Sequence, residues 1–144
     1  PMGVTLVRPD ILSVMKKGEH SSTFGGNPLA CAAGTATLHA LTQDGLIENA
    51  KSMGEKFSHG LEELKSKHKI IREVRGKGLM IGVELKFEVK DILMEGIKNG
   101  LLLLYSGRNI LRFLPPLVIS KEDVVKTLQI LDELLTNEEN RRNA

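Results

Sequence analysis

The chain has 144 residues, of which 41% are hydrophobic and 26% are charged, so it is long enough to bury a core, and its length predicts one domain. Its 20 lysines and arginines against 18 acidic residues leave a net charge of +2, which is too weak a bias to indicate binding to nucleic acid or to an anionic membrane. With no tryptophan and one tyrosine, few aromatic surfaces are left on which bases could stack.

The first third of the chain predicts a short buried strand at 3–7 and a helical turn at 9–15. After a loop, Asn27 is a preferred N-cap residue, and it starts an alanine-rich helix that runs to about Leu41. We expect Cys31, in this helix, to be a buried structural thiol. An amphipathic helix follows, and its apolar stripe consists of Leu46, Ile47, Ala50, Met53, Phe57, Leu61 and Leu64.

The remainder predicts two strands at 70–75 and 79–85, a helix at 91–98, two short strands at 101–105 and 110–113, and a final helix. Ser120 is expected to cap that helix, with Asp123 completing an imperfect capping box. We expect the polar segment 137–144 to fray, and Glu138 and Glu139 to lie on a solvated face. Strands mixed with helices on one side predict an α+β layer for this half.

The loop before the alanine-rich helix is the first candidate site. Gly25 and Gly26 can turn backbone N–H groups toward a ligand, and Ser22 and Thr23 add hydroxyl donors. The N-terminus of the following helix favours negative charge. The residues alone leave two interpretations open: a phosphate-binding loop, or a glycine turn whose hydroxyls cap local N–H groups.

Two further motifs involve arginine. In Arg75-Gly76-Lys77-Gly78 no serine or threonine follows the lysine, and the run leads into a strand, so we interpret it as a turn and not as a nucleotide loop. Arg112 lies between apolar residues in the predicted strand at 110–113, where a charge needs a partner. That partner is either a substrate carboxylate, which a planar guanidinium binds through two hydrogen bonds, or an acidic residue in a structural ion pair.

Three segments, in order, resemble the class III pyridoxal-phosphate aminotransferases: GEHSSTFGGNPLA at 18–30, VRGKGLMIG at 74–82 and LRFLPPL at 111–117. The resemblance runs from about Pro1 to Leu135 and is strongest to acetylornithine-type enzymes, including the carrier-protein-linked enzymes of lysine and arginine synthesis. It implies an aspartate-aminotransferase-like α/β fold (fold type I). Residues 1–41 would close the large cofactor-binding domain, 42–67 would form a bridging helical segment, 68–136 the small C-terminal α+β domain, and 137–144 a polar tail.

The resemblance also implies roles for single residues. Thr23 would contact the phosphate of pyridoxal 5'-phosphate in the neighbouring subunit of a homodimer, Ser22 would lie at the substrate, and Arg112 would bind its α-carboxylate. In this family a lysine forms a Schiff base with the cofactor, shortly before a glycine-rich run and a triplet that Pro1-Met2-Gly3 resembles. We therefore expect no catalytic residue within the chain and no activity from it alone.

The implied reaction moves an amino group between an acylated diamino acid, such as N-acetylornithine, and 2-oxoglutarate in arginine or lysine biosynthesis. Its partners would be small amino-acid substrates and, for a carrier-linked substrate, an amino-group carrier protein. The alternatives are an ornithine or 4-aminobutyrate aminotransferase, or a non-catalytic α+β ligand-binding or interaction domain. The histidines lack metal-ligand spacing and no apolar run could span a bilayer, so we expect a cytoplasmic protein without a metal site, membrane or nucleic-acid partner.

Overall fold

A computed structural model describes residues 2–16 and 18–143 of the chain. It comprises two compact units, of which the first ends at Asp44 and the second begins at Gly45. Pro1, the first residue of the predicted Pro-Met-Gly triplet, lies outside the described residues. The second unit thus takes in most of the segment that was expected to bridge two domains.

The described residues of the first unit form two helices, α1 (Pro9–Leu12) and α2 (Pro28–Gln43). The expected strand at 3–7 is wrong, because residues 2–8 are irregular and exposed, and no described segment of the unit pairs with them. The expected burial of Cys31 is also wrong: the thiol is exposed, and no residue of α2 is buried. The physical reason is the same in both cases, since the described residues of this unit form no second layer over either segment.

The second unit is built on an antiparallel sheet of four strands in the order β1-β2-β4-β3. The strands are β1 (Ile71–Lys77), β2 (Met80–Leu85), β3 (Leu104–Ser106) and β4 (Ile110–Phe113). A register shift between Ile71 and Glu73 interrupts the pairing of β1 with β2. The turn between those strands confirms the interpretation of the Gly-Lys-Gly run, with Gly78 at a φ of 56°, a conformation that glycine adopts without strain.

Three helices, α3 (Leu46–Lys67), α4 (Lys90–Lys98) and α5 (Lys121–Asn143), complete this unit. The predicted apolar stripe of α3 supplies Met53, Phe57, Leu61 and Leu64 to the core. Alternate residues of the strands meet them there, including Ile81, Val83 and Leu85 of β2 and Leu111 and Phe113 of β4. Period 2 in the strands and period 3.6 in the helices therefore bury one face of each element.

The third strand is shorter than the sequence predicts. Gly100, at a φ of 76°, turns the chain so that the N–H of Leu101 donates to the carbonyl of Gly96, 2.8 Å away. Leu101 thereby caps α4, as helix C-termini often require, and pairing with β4 begins only at Leu104.

The final helix starts as predicted but extends further. The hydroxyl of Ser120 accepts a hydrogen bond from the N–H of Asp123 at 3.1 Å, and the carboxylate of Asp123 accepts one from the N–H of Ser120, also at 3.1 Å. These two bonds form the capping box. The expectation that 137–144 frays is wrong for the described part, because α5 continues to Asn143.

Two ionic clusters hold the end of α5 and correct the prediction of a solvated face. Glu138 is only 6% exposed and accepts hydrogen bonds from Arg141 and Arg142 at 2.6–3.0 Å. Glu139 lies 2.9 Å from Nδ1 of His68, a buried side chain whose Nε2 lies 2.6 Å from Asp132. Both acidic residues are therefore partnered, as burial of a charge requires.

Among the described residues no helix combines the length and the apolar character that crossing a bilayer requires.

Candidate functional site

The loop before α2 is organised by Asn27. Its side-chain oxygen accepts a hydrogen bond from the N–H of Ala30 at 2.9 Å, and its amide nitrogen donates to the carbonyl of Phe24 at 2.8 Å. Pro28 occupies the start of the helix, where its missing N–H costs nothing. The predicted helix start is confirmed, and the Asn27 side chain makes two of the hydrogen bonds of the turn.

Ser22 and Thr23 precede this turn and are exposed. Within residues 2–16 and 18–143, no side-chain hydrogen bond uses either hydroxyl, since the capping is done by Asn27. A Cβ at Gly25 would collide with Oγ of Ser22, and Gly26 has a φ of 72°. The glycines thus let the loop fold closely over Ser22, and both hydroxyls remain available to an external acceptor.

Arg112 lies in β4, and its neighbours Leu111 and Phe113 point into the core. Because side chains alternate along a strand, Arg112 lies on the opposite, open face of the sheet, where it is half-buried. In the β2–β4 pairing it stands opposite Gly82, and in the β3–β4 pairing opposite Leu104. No ion pair formed among the described residues includes Arg112.

The neighbouring arginines on the sheet have partners. Arg75 contacts Glu73 at 2.6 Å and Glu84 at 3.0 Å, and Arg72 contacts the other oxygen of Glu84 at 3.0 Å. The hydrogen bonds from Arg75 and Arg72 lower the pKa of Glu84 below its ordinary value, and the bond to Glu84 raises the pKa of Arg75. Arg112 is thus the arginine of this sheet that retains its hydrogen-bonding capacity for a ligand.

Two of the three predicted site residues, Ser22 and Thr23, share one loop of the first unit, and Arg112 stands in the second. Sequence reasoning missed Gly82, which faces Arg112 across the strands, and the Glu84 cluster. A glycine inside an alternating strand was the available signal for the first. No group of three or more histidine, cysteine or acidic residues in the described part of the chain could hold a metal ion.

Comparisons with known proteins agree with one another. The family model described as "Aminotransferase class-III" matches residues 1–135. An acetylornithine aminotransferase of Caldanaerobacter subterraneus subsp. tengcongensis is 46% identical over 137 residues, which cover 94% of this chain and 35% of that protein. A "[LysW]-aminoadipate semialdehyde/glutamate semialdehyde transaminase" of Sulfolobus acidocaldarius is 36% identical over 141 residues. The match covers 98% of this chain and 36% of that protein.

Solved structures show the same relationship. Ornithine delta-aminotransferase of Plasmodium falciparum superposes with a TM-score of 0.89 at 37% identity, over 94% of this chain and 36% of that one. This confirms the aspartate-aminotransferase-like fold, and the antiparallel sheet with its helices is consistent with the C-terminal part. The chain spans about a third of the length of the curated relatives it matches. The chain belongs to the class III aminotransferases.

Proposed function

We propose that this chain is the C-terminal part of an enzyme that moves an amino group between an amino-acid donor and 2-oxoglutarate, and that Arg112 binds the carboxylate of each. The observation that carries this proposal is the half-buried arginine without an ionic partner on the open face of the sheet. A guanidinium that is partly removed from water gains most from a ligand that accepts two hydrogen bonds, and a carboxylate has that geometry.

The cofactor of this reaction would be pyridoxal 5'-phosphate, which stabilises the carbanion when it is bound. The loop at 22–27 suits its phosphate, because two exposed hydroxyls and a glycine-rich backbone precede the N-terminus of α2. We assign Thr23 to the phosphate held by a partner subunit of a homodimer, and Ser22 to the substrate. The role of both hydroxyls is to donate hydrogen bonds and so to position the bound molecules.

The donor we propose is an acylated diamino acid, such as N-acetylornithine or a carrier-linked lysine or ornithine derivative. The similarity to an acetylornithine aminotransferase and to a transaminase whose name includes LysW supports this class. The superposition on an ornithine aminotransferase supports free ornithine as the second candidate. Rates of the intact enzyme with N-acetylornithine and with ornithine, at equal 2-oxoglutarate, separate the two.

Arg112→Lys in the intact enzyme tests the carboxylate site. Lysine keeps the charge but loses the planar fork, so we expect a loss of about 2–4 kcal/mol in kcat/KM for both substrates, with nearly unchanged cofactor affinity. Arg75→Lys is the matched control, because that arginine lies on the same face but already has acidic partners. Normal kcat/KM with a lowered melting temperature in Arg112→Lys would return this residue to a structural role.

We also propose that residues 1–144 by themselves do not transaminate, since the family's cofactor-binding lysine precedes the segment that Pro1-Met2-Gly3 resembles. Borohydride reduction with the cofactor, followed by peptide mapping, tests this. One stoichiometrically modified lysine within these residues, together with turnover, would refute it.

A further inference from the structure

Gly82 lies in the middle of a central strand, and its backbone conformation does not explain why glycine occupies this position. It lies in β2 between two paired neighbours, and it is not among the glycines of positive φ. Glycine inside a strand is destabilising relative to alanine, because glycine loses more backbone freedom on folding. Such a residue often marks a place where a ligand or another backbone approaches closely.

Packing within the chain does not require this glycine either. A Cβ at Gly82 would lie 3.3 Å from Cγ2 of Ile110 and 3.9 Å from the carbonyl oxygen of Arg75, so it would need only a small shift of one side chain. Gly76 in the neighbouring strand differs, because a Cβ there would collide with the backbone of Met80 and Ile81. The second unit therefore needs a glycine at 76 but tolerates a side chain at 82.

The position of Gly82 supplies the missing reason. It stands directly opposite Arg112, and the Cβ atoms of such a pair are about 4.5–5.5 Å apart. A side chain at 82 would therefore project from the open face of the sheet beside the Cβ of Arg112, and its first contacts within the chain would be Ile110 and Arg75. On the other side of Gly82 stands Arg75, whose charge is already neutralised by Glu73 and Glu84.

We propose that Gly82 is a specificity-determining residue of the carboxylate subsite: its missing side chain leaves the space beside Arg112 that a substrate carboxylate occupies. This inference rests on the proposed function, because it assumes that Arg112 binds the carboxylate and adds that Gly82 leaves room for it. The subsite selects a carboxylate in contact with one arginine, since Glu84 holds the neighbouring arginines away from it. A branched side chain at 82 would displace the carboxylate and would leave the charge of Arg112 unchanged.

The experiment uses glutarate, a dicarboxylate that does not react, as the probe of the intact enzyme with its cofactor bound. We expect Gly82→Ala to raise the Kd of glutarate about tenfold and Gly82→Val to raise it about a hundredfold, with cofactor affinity held within about twofold. Ser106→Val is the matched control, because Ser106 lies opposite Ile110 in β4, two pairs away from Arg112, and its variant should bind glutarate normally.

An unchanged Kd in Gly82→Ala and Gly82→Val would overturn the inference, whether or not the melting temperature falls. Should Gly82→Val fail to fold, Gly82→Ala decides by itself, because its added methyl group needs only the shift at Ile110. Turnover of the unaltered enzyme is measured separately. If the unaltered enzyme binds glutarate but does not transaminate, the proposed function alone is refuted. If it turns over normally and the Kd of glutarate is the same in the Gly82 variants, this inference alone is refuted.

Discussion

The strand that carries Arg112 is held to the core by an aromatic pair, and this pair can be perturbed without touching the candidate site. Phe57 of α3 meets Phe113 of β4 edge to face, with ring centroids 5.1 Å apart and an interplanar angle of 77°. Both rings are buried. Since Phe113 follows Arg112 in the chain, its packing on the core face fixes the part of β4 that presents the arginine on the other face.

We expect Phe57→Leu to destabilise the chain by about 1–2 kcal/mol. The edge-to-face pair contributes about 0.5–1.5 kcal/mol beyond its burial, and a hydrophobic exchange of similar volume costs less than about 1.5 kcal/mol. With a urea dependence of about 1–3 kcal/mol/M, the midpoint of unfolding should fall by roughly 0.3–2 M. The measurement is urea denaturation followed by circular dichroism.

A double-mutant cycle with Phe113→Leu separates the ring contact from general loss of packing. If the contact stabilises β4, the two substitutions together should cost about 0.5–1.5 kcal/mol less than the sum of the single effects. Additive effects, within about 0.3–0.5 kcal/mol, would refute the reasoning. Large single effects alone would not show that the ring contact stabilises β4, because any large-to-small change in a core destabilises the fold.

Three further predictions concern hydrogen bonds at other positions. Thr23→Ala in the intact enzyme should weaken cofactor binding by about 1–3 kcal/mol, since one bond to a charged group is lost; an unchanged affinity in an absorbance titration would contradict this. Ser120→Ala should cost about 0.5–2 kcal/mol of unfolding free energy, and Ser106→Ala, an exposed serine of β3, should change it little. Hydrogen bonds from Lys67 and, to a lesser extent, His68 lower the pKa of Asp132 in the folded chain. The ionised carboxylate therefore stabilises the fold at any pH above about 3.9, the pKa of an aspartate in the unfolded chain, and this stabilisation is lost as the pH falls through the lower pKa of the folded state. The stability gap between the unaltered chain and Asp132→Asn should therefore narrow below about pH 4 in urea titrations, and a gap independent of pH would show that the ionised carboxylate does not matter.

The predictions that held depend on signals within a few neighbouring residues. Asn27 and Pro28 placed the start of α2, and Ser120 with Asp123 placed the start of α5, because a cap is made by side chains close in sequence. The alternation in β2 and the apolar stripe of α3, apart from the exposed Ile47, also predicted which faces are buried. The motifs at 18–30, 74–82 and 111–117 were sufficient to identify the family.

The predictions that failed concern long-range contacts. Whether Cys31 is covered, whether 3–7 pairs as a strand and whether Glu138 meets solvent all depend on what lies beside a segment in space, which local pattern does not encode. Arg141 and Arg142 on the same helix pair with Glu138, but its burial depends on the packing of α5 against α3 and α4.

The candidate site shows the same division. The sequence by itself determined that Arg112 is a charge in an apolar strand, and therefore that it needs a partner. Only the tertiary structure decided that Glu84 is taken by Arg72 and Arg75, and that Gly82 stands opposite Arg112. Strand order and register bring together residues that are 30 positions apart in the chain, and they are set by the burial of a whole face of the sheet. For this reason the carboxylate subsite could be proposed only once the sheet was assembled.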